Sequence, residues 1–273
     1  MGSRNERRRY GSARPSKKSE RRFLPWIIII ITVSTLGGIA GGSVWYRSTI
    51  PHIDADTMCP ATGPLGVHAV LLDRSDPITP LQAERLRQVV DKAIGDASIN
   101  ERIDLYVLAG DGTQVAIPVA SLCRPKADGN ELYENPARIR QRYVARFKKP
   151  LDDALAAMMV PRSAKTSPIM ESVKAVCIAA FGDLQKGAPA KLTVASDMIQ
   201  FSPILDHYKR RDFDEFALSP SYKLVLADCH RASVNILYFV RPRDARVQDR
   251  KHQLFWERFF DHENAVLMTV EVI

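Results

Sequence analysis

The sequence has no Cys-x-x-Cys pair, no His-Glu-x-x-His, no Gly-x-Ser-x-Gly and no glycine-rich phosphate loop. The first two absences argue against a zinc ribbon and a zinc-protease helix; the others argue against a serine-hydrolase elbow and a nucleotide cradle. Cysteines are few: Cys59, Cys123, Cys177 and Cys229. An even number at wide spacing suits either disulfides in an oxidising compartment or buried free thiols. Cys59 and Cys123, both in loop-like, proline-containing stretches, are the expected pair. Residues 65–273 hold no internal repeat and no low-complexity tract.

Charge is missing altogether from Phe23 to Tyr46. That stretch is long enough to cross a bilayer as a helix, and Trp26 at one end with Trp45 and Tyr46 at the other fit interfacial anchors. Ahead of it, residues 1–22 hold nine basic and two acidic side chains, a net of +7 out of the chain's +8. The rest is close to neutral, so the basic excess reads as a cytoplasmic topology signal rather than as a nucleic-acid surface. Its composition predicts disorder. The expected layout is a basic tail (1–22), a transmembrane helix (23–46), a linker (47–64) and an extracytoplasmic domain (65–273), in a bacterial inner membrane facing the periplasm. A cleaved signal peptide is the competing reading, with Gly37 to Ser43 a weak cleavage site. Gly37 and Gly41, like Gly38 and Gly42, are four apart, a spacing that permits close helix–helix approach and self-association in membranes.

Beyond the linker, strand and helix signals alternate. Strands are expected at His68–Asp73, Ile103–Leu108, Gln114–Leu122, Lys191–Ala195, Val234–Val240 and Ala265–Ile273. Pro118 places the third of these at an edge, and Gly110-Asp111-Gly112 marks a turn before it. Thr79-Pro80-Leu81-Gln82 has the form of a capped helix start, followed by the apolar stripe Leu81, Leu86, Val89, Val90, Ala93 and Ile94. Ile139, Tyr143, Phe147, Leu151, Leu155 and Met159 recur every four residues, with a kink or break expected at Pro150. Ser167-Pro168 opens another helix, and Lys251–Asn264 is a last one. The pattern predicts an α/β domain with a doubly wound, mainly parallel sheet covered on both faces.

Three polar loops stand at element boundaries. They are Asp73-Arg74-Ser75-Asp76 after the first strand, Lys165-Thr166-Ser167 before a helix, and Ser196-Asp197 after a later strand. Open α/β sheets bind ligands at the C-terminal ends of their strands. Two carboxylates with two or three hydroxyls suit a hard cation such as Mg²⁺ or Mn²⁺. The candidate ligands are Asp73, Ser75, Asp76, Thr166, Ser167 and Asp197. Each has a plainer role open to it: a turn for Asp73, Ser75 and Asp76, a helix cap for Ser167, loop hydrogen bonding for Asp197.

With these loops in this order, the chain from about residue 65 resembles a von Willebrand factor A (VWA) domain. The resemblance implies a Rossmann-like fold and a metal-ion-dependent adhesion site of the form Asp-x-Ser-x-Ser, a Thr before a helix, and a later Asp. Asp73 and Ser75 match the first two positions, and Pro77 replaces the second Ser. Ser167 matches the Thr, with Thr166 as the alternative. Asp197 matches the last Asp, followed by Met198 where the family commonly has glycine. The implied function is capture of a protein partner, whose carboxylate can complete the metal's coordination. The site's own cation could instead be Arg74 or Lys165.

Two other readings stand beside this one: a metal-dependent phosphoester hydrolase using Asp73 and Asp197, and a structural envelope subunit with a vestigial site. Asp206 to Arg211 reads as a solvated charged face. Asp228-Cys229-His230 is a weak nucleophile–base candidate, because neighbours on an extended chain point opposite ways.

Overall fold

A computed structural model describes residues 24–49, 52–108, 116–130, 134–160 and 164–273. The basic tail and the Gly110–Gly112 turn lie outside the described residues. The chain divides into two units, Met1–Pro51 and His52–Ile273.

The described residues of the first unit form one helix, α1 (Leu24–Thr49). Its segment Pro25–Tyr46 is long and apolar enough to cross a membrane. The hydroxyls of Thr32, Thr35, Ser43 and Ser48 donate to carbonyls three or four residues back. These hydroxyls are thus satisfied by the helix's own carbonyls.

The second unit is built on a six-stranded sheet: β1 (Gly66–Leu72), β2 (Glu101–Val107), β3 (Ala120–Cys123), β4 (Ala190–Ser196), β5 (Ser233–Tyr238) and β6 (Val266–Val272). Their spatial order is β3-β2-β1-β4-β5-β6. All neighbours are parallel except β2 and β3. All seven residues of β1 are buried, as expected for a central strand covered on both faces. Alternate side chains divide between two cores. Val67, Ala69 and Leu71 face α5 (Ile169–Phe181) and α7 (Arg250–His262). Val70 and Leu72 face α2 (Pro80–Asp96) and the helical residues 136–158. The sheet is doubly wound, and its order reverses between β1 and β4.

Helix α2 begins as its sequence dictates. Thr79 Oγ1 accepts from Gln82 N, and Gln82 Oε1 accepts from Thr79 N, closing a capping box with Pro80 in the first turn. Leu81, expected in its apolar stripe, is 69% exposed, while the neighbouring Gln82 turns inward and donates to the Ile273 carbonyl.

The four-residue periodicity produces α3 (Pro136–Tyr143) and α4 (Lys149–Met158), joined by a π-helical turn at Val144–Lys148. Pro150 has no N–H to give and its ring crowds the preceding turn. One residue of extra winding just before it accommodates the ring without ending the helix. Phe147 and Leu151 stay fully buried on the same face.

The expected third strand is shorter: it starts at Ala120 and runs antiparallel at the sheet edge. Disulfides join Cys59 to Cys123 and Cys177 to Cys229. Met58 is buried, and Cys123 N donates to Thr57 O at 2.8 Å. Residues 52–64, read from sequence as linker, therefore pack on the domain. A further α-helix, α6 (Phe213–Ala217), lies between β4 and β5.

Candidate functional site

The three polar loops meet at the C-terminal ends of β1 and β4, where the strand order reverses, the place open α/β sheets use for ligands. Asp73 is the hub. Its Oδ1 accepts from Ser75 N at 2.9 Å, folding the loop back on itself. Its Oδ2 accepts from Ser167 Oγ at 3.0 Å and from Ser196 Oγ at 2.8 Å. The backbone fixes the carboxylate from behind, since Asp73 N donates to Ala195 O at 2.9 Å. One buried carboxylate thus gathers hydroxyls from segments 94 and 123 residues away.

Ser167 does not cap α5. Pro168 occupies the cap position, and the first-turn N–H of Met170 is taken by the Gln200 side chain rather than by Ser167. Its backbone instead forms a bridge with Phe201, leaving the hydroxyl for Asp73. Thr166, the alternative at this position, is half-buried beside it.

Asp197 follows β4 and is 5% exposed. Its Oδ1 accepts from Ile199 N at 2.9 Å. Burial, and then the nearby Asp73 charge, push its carboxyl up to about 7, against the opposing pull of the Ile199 N–H and Arg241. The loop beyond turns through Met198, with φ of +60°. Glycine is the usual residue for that backbone. Here the Met198 carbonyl is held by Trp256 Nε1 at 2.8 Å and by His252 Nε2 at 2.9 Å, which offsets the strain.

Behind this turn sits a buried group that the sequence reading missed. His207 lies in the segment expected to be a solvated face, yet it is fully buried. Its Nδ1 accepts from Gln200 N and, at 3.0 Å, shares with the Met198 carbonyl the one N–H of His252 Nε2; Tyr238 Oη donates to His252 Nδ1 at 2.7 Å. Burial lowers the basicity of both imidazoles, His252 to about 4. Gln200 ties the same loop to α5, accepting from Met170 N and donating to Glu171. The only hint in the sequence was the charged surroundings of His207, and they pointed the wrong way.

Arginines from the segment after β5 complete the site. Arg241 Nη1 donates to the Pro77 carbonyl at 2.8 Å, and its Nε lies 3.4 Å from Asp197 Oδ2. Arg243 pairs with Asp76 at 2.6 Å. The cation beside Asp197 is therefore Arg241, rather than Arg74 or Lys165. Asp76, already paired, is half-buried at the rim. Among the described residues no group of three His, Cys, Asp or Glu side chains is placed to hold a metal. A cation here would rest on hydroxyls as well as on Asp73 and Asp197. At the other candidate, Cys229 is in a disulfide and His230 is exposed, so no nucleophile stands there.

No protein-family model matches the chain, and no curated protein matches it. Among solved structures it is similar to the SpRpn10 VWA domain, at 10% identity and a TM-score of 0.40, over 76% of this chain and 87% of that one. A likeness at that level carries no weight of its own. The observations that bear on function are the strand order and the convergence on Asp73.

Proposed function

We propose that the chain is a membrane-anchored, VWA-like protein-binding module. Its recognition surface is the edge of the sheet around Asp73, Ser75, Ser167 and Asp197. The observation that carries this reading is the Asp73 carboxylate, bonded at once by Ser167 and Ser196 and turned back on Ser75. Three loops that resemble an adhesion site in sequence are loops that touch in the fold.

The donor types support a hard cation as the ligand. All are oxygens, and the two carboxyl groups, Asp73 and Asp197, are the kind of ligand such an ion takes. Asp73, Ser75 and Ser167 would hold Mg²⁺ or Mn²⁺, with Asp197 acting beside them and Thr166 and Asp76 at the rim. Bound there, the metal would supply an open coordination position for a partner's carboxylate. The protein's own part is to hold the oxygens in place: the serine hydroxyls fix Asp73, and the Met198 turn fixes Asp197.

The apolar helix α1 supports an anchor in a bacterial inner membrane, with the basic tail in the cytoplasm. The two disulfides support a periplasmic domain.

The test is calorimetric titration of Mg²⁺ and Mn²⁺ into the full chain in detergent, beside Asp73→Ala. Saturable binding that the variant loses is expected. Absence of binding to the unmutated chain would refute an autonomous metal site and favour a metal-free scaffold. Hydrolysis of p-nitrophenyl phosphate that Asp73→Ala abolishes would favour the phosphoester hydrolase instead.

A further inference from the structure

Arg241 is placed with more care than a surface arginine needs. Its backbone N–H donates to Gln248 Oε1 at 2.7 Å. The Gln248 amide donates to the carbonyls of Asp197 and Phe239 at 3.0 and 2.9 Å, so the same residue fixes both sides of the contact. The guanidinium carbon lies 6.0 Å from the centre of the Phe239 ring, within reach of a cation–π attraction. The side chain is 12% exposed.

The partner at Nη1 is the carbonyl of Pro77. Pro77 stands where the resemblance places a second serine, so this position has lost an oxygen ligand and points its carbonyl at a guanidinium. The contact with Asp197 is loose. At 3.4 Å it exceeds the ~2.7–2.9 Å of a tight charge-assisted bond. A loose pair is one that a competing cation can displace. Arginine cannot yield by losing its proton, because it stays charged at all accessible pH. A divalent ion entering beside Asp197 therefore meets a fixed positive charge.

We infer that Arg241 is the site's resident cation: it competes with divalent metal for Asp197 and sets the concentration at which metal loads. This rests on the proposed adhesion site and adds how that site is controlled. Loading would release the guanidinium from Asp197 and Pro77.

The test titrates Mg²⁺ into the full chain in detergent and into Arg241→Gln and Arg241→Lys, with circular dichroism to confirm folding. Arg241→Gln is expected to bind at least about tenfold more tightly than the unmutated chain. Its thermal midpoint should rise more steeply with Mg²⁺. Arg241→Lys keeps the charge and should stay near the unmutated affinity.

Binding by Arg241→Gln alone would support the inference while sinking metal loading in the unmutated chain. Equal affinity in the unmutated chain and Arg241→Gln would overturn the inference and leave the metal site standing. No binding by either would overturn both. One measurement needs no variant: in a chain that binds Mg²⁺, the Arg241 Nε–H resonance must shift on saturation, and an unmoved resonance would also overturn the inference.

Discussion

Replacing Glu263 with glutamine should stabilise the protein at alkaline pH. Glu263 sits at the C-terminal cap of α7 and is 1% exposed. It accepts from Tyr222 Oη at 3.2 Å and from the Ala227 N–H. Burial nonetheless pushes its carboxyl up to about 7 from an ordinary 4.5. A carboxyl raised in the folded state binds its proton more tightly folded than unfolded. Stability therefore falls as pH rises from about 4.5 to about 7 and is flat above. The full difference is worth a few kcal/mol at most; relaxation around the buried carboxyl is expected to leave about 1–2 kcal/mol of it. Glutamine keeps an oxygen for the Ala227 N–H and never carries the charge. Glu263→Gln should then raise the thermal midpoint at pH 8 by about 2–6 °C and change it little at pH 4. The assay is thermal unfolding of the full chain in detergent across pH 4–8, followed by near-ultraviolet circular dichroism. A variant less stable at pH 8, or a difference that does not grow between pH 4.5 and 7, would refute the reasoning.

Two further outcomes follow from the packing. Cys177→Ser with Cys229→Ser opens a loop spanning 52 residues of sequence, and should cost about 2–4 kcal/mol in denaturant unfolding while the second disulfide remains. Phe259→Ala removes a fully buried ring packed on Trp256 and Phe260; a loss of about 3–5 kcal/mol is expected, and a loss below about 1 kcal/mol would mean this core is not close-packed.

The parts of the fold that sequence reveals are those where local chemistry and burial agree. Thr79 to Gln82 spells out its own helix start, and the alternating Val67 to Leu72 fills two cores. The three loops of the candidate site were legible because Asp73, Ser167 and Asp197 each follow or precede a strongly patterned element. Their convergence is a property of strand order, which no single loop encodes. The misses share a cause as well. Arg241 and Gln248 act through long side chains from a segment with no motif. His207 is buried by ring contacts with His252, Phe255 and Trp256, all more than 40 residues on. Pro150 signals a break, but a π-helical turn absorbs it because Phe147 and Leu151 hold both sides to one core.

The two disulfides also bear on the order of folding. Cys59–Cys123 lies entirely within the half of the sheet formed by β1, β2 and β3, and Cys177–Cys229 within the half that contributes β4, β5 and β6. Neither bridge crosses between halves. A chain entering an oxidising space from its N-terminal side can close the first bridge before Cys177 has arrived, with no wrong partner present. The halves are then joined by the pairing of β1 with β4 and by the bonds that Ser167 and Ser196 make to Asp73. The Asp73 cluster and the closed sheet thus depend on the same pairing, and a chain with its second half unfolded would lack the surface proposed above.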